Sequence, residues 1–403
     1  MRKMKDSGVA WVGAIPEDWT VKRGKFTLKL LNRPVKETDD VITCFRDGEV
    51  TLRTNRRTDG FTVSVKEIGY QGIEPGDLVI HGMDGFAGSI GISDSRGKSS
   101  PVLVVCDTDE NKRYIMYYLR SMAYNDVFTA LATGIRVRSC DLRWNKLAEL
   151  PYILPSLEEQ NQIVLAIESS TSKVDALIAN VQAQIEKLKT YKQSLITEVV
   201  TKGLDPNVPM KDSGVEWIGK IPKHWNMIRF RFIAKITTGN QDTQNADPDG
   251  MYPFYVRSPI VEHCNNYTFE GKGILMAGDG AGAGRVFHLV NGKYAVHQRV
   301  YRVYDFKYMN PVLLKFYLEN LFATVMDYGS AKTTVPSVRL PMIQDFPVCV
   351  PPEDEQLKML EVLSEKTNKI DRFIAVKQTK IEKLEQYKRS LIYEYVTGKK
   401  EVS

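Results

Sequence analysis

The side chains that could do chemistry in this sequence form polar and basic clusters. Those in the first half of the chain are Arg46, Arg53, Asn55, Arg56, Arg57, Arg136 and Arg138. Those in the second half are Asn240, Gln241, Gln244, Asn245, Arg257, Lys332 and Thr333. Arginine, asparagine and glutamine hydrogen-bond the edges of guanine and adenine, and lysine and threonine bind phosphates. We therefore consider these residues candidate DNA contacts, although the same composition is typical of solvated loops.

The sequence lacks the familiar motifs of catalysis and cofactor binding. Gly91 to Ser99 has the wrong glycine spacing for a phosphate-binding loop, and Gly278 to Gly284 lacks the Gly-x-Gly-x-x-Gly pattern of dinucleotide sites. The five histidines and five cysteines form no His-x-x-x-His or Cys-x-x-Cys pair. We expect a protein that is not an enzyme and that binds no metal or cofactor itself.

Two blocks of sequence occur twice along the chain. Met4 to Phe26 is repeated at Met210 to Phe232, and Pro155 to Thr201 is repeated at Pro351 to Thr397. The segments between these blocks have diverged. Since two copies of one enzyme would keep the same chemical residues, the shared frame suggests one scaffold that carries two different specificities.

The second block has the heptad periodicity of a coiled coil in both copies. We predict that the helices pair through the residues that recur in this pattern: Ile167, Val174, Leu177, Val181, Leu188, Tyr191 and Leu195, then Leu363, Ile370, Phe373, Leu384, Tyr387 and Leu391. Ile178 and Ile185 widen the stripe, and Gly203 and Gly398 follow the predicted helix ends.

A helix of about 45 residues is about 65 to 70 Å long and cannot bury its apolar stripe within its own domain. One interpretation is an intermolecular coiled coil that serves only oligomerisation. The alternative is that the two helices of one chain pair in antiparallel directions and set the distance between two binding domains.

Short β-type runs alternate with glycine turns ahead of each heptad block, as at Asp77 to Ile80 and Arg299 to Val303, and a helical run follows at Arg113 to Tyr124 and at Pro311 to Met326. We predict an α+β fold with two mixed α/β target-recognition domains of irregular sheets, each followed by a long helix. The two helices would pair as an antiparallel coiled coil with internal pseudo-two-fold symmetry. The expected segments are recognition domains at 1–155 and 206–350 and helical spacers at 156–205 and 351–403.

The composition sets limits on location and partners. The chain has 403 residues with a net charge of +6, which permits an anionic partner without identifying one. Its odd number of widely spaced cysteines fits a reducing compartment, and no stretch approaches the roughly 18 apolar residues of a membrane span. We expect a cytoplasmic protein that does not bind membranes.

With its two halves, the sequence resembles the specificity (S) subunits of type I restriction-modification systems. The resemblance covers the whole chain. It rests on the domain openings that end at Trp19 and Trp225, the helix entries that end at Gln160 and Gln356, and the Tyr-Lys-x-Ser-Leu-Ile run near each helix end. It implies that each recognition domain binds one half of a split DNA target, with the helices as the ruler for the unread spacer.

The resemblance also implies a set of partners. These are double-stranded DNA, two modification (methyltransferase) subunits and, for cleavage, ATP-dependent restriction subunits. S-adenosylmethionine, ATP and Mg are expected on those subunits and not on this chain. The faces of residues 156–202 and 352–397 outside the seam are expected to contact the modification subunits.

Two rival functions are kept open. A single-chain nuclease or methyltransferase with an unfamiliar site would cut or methylate DNA alone. A coiled-coil adaptor with no nucleic-acid role would not show the steep loss of DNA affinity with salt that a DNA reader shows.

Overall fold

The structure, a computed structural model, describes residues 2–56, 67–131, 142–329 and 336–402, with side chains of 324–329 excepted. The chain divides into two compact units. Unit 1 comprises Met1–Val181 and Thr379–Ser403, and unit 2 comprises Gln182–Gln378. Both long helices cross this division, so each unit contains a recognition part and a stretch of each helix. The segment boundaries expected from the sequence stay predictions.

Unit 1 is built from short strands around one antiparallel sheet. Its described strands β1 to β12 are Met4–Asp6, Ala14–Pro16, Thr20–Arg23, Lys29–Leu30, Ile42–Cys44, Val50–Leu52, Gln71–Ile73, Leu78–His81, Ile90–Ile92, Gly97–Ser99, Leu103–Asp107 and Pro151–Leu154. Its short helices α1 to α3 are Lys112–Tyr124, Val127–Ala130 and Trp144–Glu149. The four-stranded sheet has the order β4-β11-β8-β9. Helix α1 buries Tyr114, Ile115 and Tyr118 in the same core as this sheet.

Unit 2 repeats that sheet and adds a second one. Its described strands β13 to β24 are Met210–Asp212, Lys220–Pro222, Asn226–Arg229, Lys235–Thr238, Tyr252–Tyr255, Glu262–Cys264, Phe269–Glu270, Gly273–Ala277, Phe287–Val290, Lys293–Val296, Val300–Tyr304 and Pro347–Val350. The helices α5 and α6 are Pro311–Gly329 and Leu340–Gln344. The sheet β16-β23-β20-β21 matches that of unit 1, whereas β18-β17-β22-β19 is an addition.

Two long helices complete the fold, as the heptad pattern predicts. Helix α4, Leu157–Lys202, has 46 residues and precedes α5 in the chain. Helix α7, Glu353–Val396, has 44 residues and follows α6. In unit 2, Lys192 of α4 pairs with Asp371 of α7 at 2.6 Å, and Lys377 donates to Gln184. Residue numbers therefore rise along α4 as they fall along α7, so the helices run antiparallel. In unit 1, Lys388 pairs with Asp175 at 2.7 Å.

The repeated frame residues make the same hydrogen bonds in both units. Trp19 Nε1 donates to Glu159 Oε2 at 3.0 Å, and Trp225 Nε1 donates to Glu355 Oε2 at 2.9 Å. Both tryptophans are fully buried. Each opening segment is thereby fixed to the first turn of a long helix.

A buried glutamine follows each of those glutamates and joins the long helix to a shorter one. Gln160 Oε1 accepts the N–H of Asn111 at 2.9 Å, and Gln356 Oε1 accepts the N–H of Asn310 at 2.7 Å. Asn111 is the N-cap of α1, and its side chain accepts two N–H groups of the first helical turn. The repeated Glu-Gln pair therefore holds the recognition part against the long helix.

The helix ends pack on the opening segments. Gly203, directly after α4, and Gly398, two residues after the end of α7, adopt positive φ of 79° and 69°, as the predicted stops require. A Cβ on Gly398 would lie 2.3 Å from Pro16 Cδ, and one on Gly203 would lie 3.1 Å from the Trp225 ring. Unit 1 thus has the end of α7 on its opening segment, and unit 2 has the end of α4.

The seam between the long helices differs from the prediction at its second position. Of the predicted residues, those that are fully or partly buried are Ile167, Val174, Val181, Leu188, Leu195, Leu363, Ile370, Leu384 and Leu391. The half-exposed ones are Leu177, Tyr191, Phe373 and Tyr387, at 49 to 56%.

The second seam position lies four residues after the first rather than three. In α4 it is occupied by Thr171, Ile178 and Ile185, all buried or partly buried. The same spacing places Lys192 and Lys388 at this position, where each is held by an aspartate of the facing helix. Lysine interrupts the apolar pattern at this position, whereas the residue before each lysine is an aromatic one. The sequence pattern therefore predicts a seam through the aromatic residues, which the structure leaves half-exposed.

No helix among the described residues is both long and apolar enough to cross a membrane.

Candidate nucleic-acid interface

The two matched sheets each present a loop after their central strand. In unit 1 the loop 82–89 joins β8 to β9, and in unit 2 the loop 278–286 joins β20 to β21. Gly82 N–H donates to the Val102 carbonyl at 2.8 Å, and Gly278 N–H donates to the Arg299 carbonyl at 2.9 Å. The backbone scaffold is the same in both units, and the side chains that it carries differ.

In unit 1, the predicted DNA contact Arg46 bonds to this loop. Its guanidinium donates to Asp84 at 3.1 Å and remains 62% exposed. The N–H of Asp84 donates to His81 Nδ1 at 3.0 Å. Burial lowers the pKa of His81, so the ring is neutral and Nδ1 can accept this bond. Asp84 is thus fixed at its backbone and holds Arg46 at the open side of the loop.

Arg53 and Asn55 lie on the short turn that follows β6. Arg53 Nε donates to Thr43 Oγ1 at 3.4 Å, and Asn55 Nδ2 donates to Thr51 Oγ1 at 2.8 Å. The side chain of Asn55 is exposed and that of Arg53 is partly buried. Both side chains thus bond to threonines of the hairpin formed by β5 and β6.

Arg56 has a different environment from Arg46. Its Nη1 lies 2.7 Å from Asp47 Oδ2 and 2.9 Å from Glu49 Oε2, and its guanidinium stacks 4.2 Å above the Phe45 ring. Two carboxylates surround one guanidinium, so Arg56 adds less positive charge to this surface than the sequence cluster suggests. Its use in DNA binding stays a prediction.

In unit 2 the predicted amide residues lie on the segment after β16. Asn240, Gln244 and Asn245 are exposed, and Gln241 is partly buried. Asn245 Oδ1 accepts the N–H of Asp242 at 2.8 Å and so closes a turn. The Gln241 carbonyl accepts the N–H of Gln298 at 2.8 Å. This bond joins the segment to the turn between β22 and β23.

Arg257 belongs to a cluster of three charged side chains. Its Nη1 lies 3.0 Å from Asp279 Oδ1, and Nη1 of Arg299 lies 3.2 Å from Asp279 Oδ2. Asp279 is 17% exposed, whereas the two arginines are 45% and 64% exposed. Arg299 is not among the DNA contacts predicted from the sequence, because no basic cluster surrounds it. Its carbonyl accepts the N–H of Gly278 just as the carbonyl of Val102 accepts the N–H of Gly82, so Val102 holds the equivalent position in unit 1.

A cleft of about 550 Å³ opens beside this cluster. Its lining includes Thr243, Arg257, Glu262, Asp279 and Gly282. A Cβ on Gly282 would lie 2.5 Å from the Arg257 carbonyl oxygen, so only glycine permits this close approach. Glu262 Oε2 is buried without a hydrogen-bond partner among the described residues. A guanidinium group and carboxylate groups therefore line the same cleft.

Several predicted contacts cannot be placed. Those outside the described residues are Arg57, Arg136, Arg138, Lys332 and Thr333. Where the described chain resumes, Leu142 N–H donates to the Gly82 carbonyl at 2.9 Å and Val338 N–H donates to the Gly278 carbonyl at 2.7 Å. In both units the chain thus returns beside the loop that carries the candidate contacts.

Comparisons with known proteins show a similarity to one family. A family model described as the type I restriction modification DNA specificity domain matches residues 222–386. The specificity subunit of the type I restriction enzyme EcoDI from Escherichia coli is 28% identical over 173 residues, which is 42% of this chain and 35% of that protein. The chain thus spans about a third of the length of that relative.

A second relative matches over nearly its full length. The putative type I restriction enzyme MjaX specificity subunit from Methanocaldococcus jannaschii is 22% identical and is aligned over 96% of this chain and 95% of its own. Among solved structures, one concerned with complex assembly and conformational transition of the type I R-M system superposes with a TM-score of 0.69. It covers 95% of this chain and 98% of its own at 14% identity, and therefore shows a common fold.

Proposed function

Because residues 222–386 match the type I restriction modification DNA specificity domain, we propose that the chain is a specificity subunit of this kind. Each unit then reads one half of an asymmetric, interrupted DNA target. One observation carries this proposal. The four-stranded sheets β4-β11-β8-β9 and β16-β23-β20-β21 have the same order, but the loops at the same edge carry different side chains. The common scaffold can dock on the regular DNA backbone in the same way in both units, and the different side chains can then read different bases. The chain supplies recognition and is not a catalytic subunit.

Each interface combines sequence reading with phosphate binding. Arg46, Arg53 and Asn55 in unit 1, and Gln241 and Arg257 in unit 2, have the donor and acceptor groups that distinguish base pairs in the major groove. A good bidentate contact discriminates between bases by about 1 to 3 kcal/mol, so a few such side chains suffice for a half-site. Phosphate contacts from other lysines and arginines then fix the register.

The long helices are proposed to set the length of the unread spacer. Their antiparallel pairing is held by apolar seam residues and by the Lys192–Asp371 and Lys388–Asp175 ion pairs. Since α4 and α7 are continuous, their length limits the distance over which the two half-sites can be read.

Two modification subunits are proposed to dock on the outer faces of the helix pairs. In unit 1 Leu177 and Tyr387 are 49% and 53% exposed, and in unit 2 Phe373 and Tyr191 are 50% and 56% exposed. These four residues occupy matching positions of the repeat, next to the Asp–Lys pairs. A surface that is repeated fits two copies of one partner, whereas a surface that reads two different half-sites must differ.

The docking proposal is tested by the composition of the assembled complex. Leu177→Glu with Tyr387→Glu should remove one of two modification subunits, measured as the mass of the complex. The matched control is Leu165→Glu, because Leu165 is 67% exposed on the same helix but corresponds to Glu361 in the other copy. Two bound subunits in the double variant would contradict the proposed docking face.

The remaining partners and cofactors follow from the family and are part of the proposal. Cleavage would require ATP-dependent restriction subunits. S-adenosylmethionine, ATP and Mg would bind those partners rather than this chain. A cytoplasmic location is part of the proposal, because DNA is the substrate of the complex.

The proposed function is tested by binding and footprinting of the chain assembled with its modification subunits. DNA affinity should fall steeply, by about 10³ to 10⁵, between about 50 and 200 mM salt if six to ten phosphates are contacted. Methylation interference should show two separate clusters of contacted purines with an uncontacted stretch between them. Salt-independent affinity, or a single continuous cluster, would contradict two-site reading.

A further inference from the structure

Unit 2 contains two arginines held by one carboxylate at the edge of its candidate interface. Asp279 follows β20, Arg257 follows β17, and Arg299 precedes β23. The two Asp279 oxygens are used separately, Oδ1 by Arg257 and Oδ2 by Arg299. Asp279 is 17% exposed and both arginine side chains are at least 45% exposed, so the shared acid is partly buried and the two cations are more accessible to solvent.

The backbone at this cluster is fixed on every side. Arg299 N–H donates to His297 Nδ1 at 3.0 Å, and the Arg299 carbonyl accepts the N–H of Gly278 at 2.9 Å. His297 is 3% exposed. Gly282 approaches the carbonyl of Arg257 so closely that a side chain would not fit. Both arginines therefore start from defined positions, which reduces the entropy lost when they contact a ligand.

Each guanidinium keeps donors for a second ligand. In the described part of the chain the contacts of both arginines with Asp279 use Nη1, which leaves the opposite edge, with Nε and Nη2, directed away from the carboxylate. A planar fork of this kind matches the O6 and N7 acceptors of guanine in the major groove, and arginine to guanine is the commonest specific contact. A lysine would retain the charge but not the fork.

From this geometry we infer that Arg257 and Arg299 each read one guanine in the half-site bound by unit 2, and that Asp279 positions both. The inference rests on the proposed function and adds the bases to it. Unit 1 has one such pair, Arg46 with Asp84, and Val102 stands at the position that corresponds to Arg299. The half-site bound by unit 2 therefore requires two G·C pairs, one more than the matching described loops of unit 1 specify.

The test is selection from a duplex library randomised at both half-sites, with the full chain assembled with its modification subunits. The half-site bound by unit 2 should contain two G·C positions. Arg257→Lys and Arg299→Lys should each relax discrimination at one of them, roughly tenfold to hundredfold, and should leave the other half-site unchanged. Asp279→Asn should relax both positions.

Asp345→Asn is the matched control. Asp345 also binds two arginines, Arg229 and Arg231, but it lies outside the three loops of the cluster. This variant removes the same charge and should leave the selected sequence unchanged.

The possible outcomes separate this inference from the function on which it rests. A wild-type half-site without G·C pairs, or one that is unchanged in both lysine variants, would overturn the role of the arginines while two-site reading stands. Absence of any sequence selection by the wild-type complex would overturn the proposed function itself. If Asp279→Asn does not assemble, the lysine variants decide, because they keep the charge and the ion pair.

Discussion

Replacing Gln356 by leucine is expected to destabilise unit 2 by about 2 to 3 kcal/mol. Its amide nitrogen donates to the carbonyls of Tyr308 and Pro351 at 2.7 and 2.9 Å, and its oxygen accepts the N–H of Asn310 at 2.7 Å. Three hydrogen bonds of about 0.5 to 1.5 kcal/mol each are lost, and three backbone groups are left without a partner. Burial of leucine in a site that is 3% exposed, and a neighbouring cleft of about 520 Å³ through which water can reach these groups, offset part of the loss.

The assay is urea unfolding of the full chain combined with amide hydrogen exchange. Exchange should accelerate at Asn310 and in the first turn of α5, since the bond that orders this helix start is removed. Gln378→Leu is the control, because Gln378 is exposed on the same helix and should change the free energy of unfolding by at most about 0.5 kcal/mol. Gln160→Leu should have the corresponding effect at α1. A change below about 1 kcal/mol for Gln356→Leu would refute the assigned role of these bonds.

Three further predictions concern spacing, base reading and pH. One heptad inserted in both long helices lengthens each by about 10.5 Å, so the preferred spacer should grow by about three base pairs while the half-sites stay the same; an unchanged spacer in methylation maps would contradict the ruler. Arg46→Ala should weaken the first half-site by about 1 to 3 kcal/mol in competition binding, whereas Arg113→Ala, which removes an arginine paired with Glu168, should not. Burial lowers the pKa of His81, His288 and His297, so the unfolded state binds protons that the folded state does not. The histidine contribution to stability should therefore be constant between about pH 6.5 and 8 and should be lost as the pH falls below about 6.5, measured by thermal unfolding.

The repeated frame made most of the fold predictable. Trp19 and Trp225, with the Glu-Gln pairs that follow the helix starts, fix the same contacts twice, so their repetition in sequence reports a repeated structure. The strands at 78–81 and 300–304 and the antiparallel helices follow the patterns from which they were predicted. These features depend on local periodicity and on residues that have a counterpart in the other half.

Features that depend on single long-range contacts were harder to predict. The second seam position contains Lys192 and Lys388, whose ion pairs become evident only when the facing helix is known. Arg56 and Arg46 belong to the same basic cluster in the sequence. Only the folded hairpin brings Asp47 and Glu49 next to Arg56. Arg299 stands apart from other basic residues and gains its place through Asp279.

Genome-wide mapping of methylated adenines in cells that express this chain with its modification subunits tests the central claim most directly. The account predicts one interrupted motif with two unequal halves and a fixed spacer. Exchange of residues 226–346, the recognition part of unit 2, for those of a relative should change one half of the motif only. A continuous or palindromic motif, or an exchange that alters both halves, would contradict reading by two independent units.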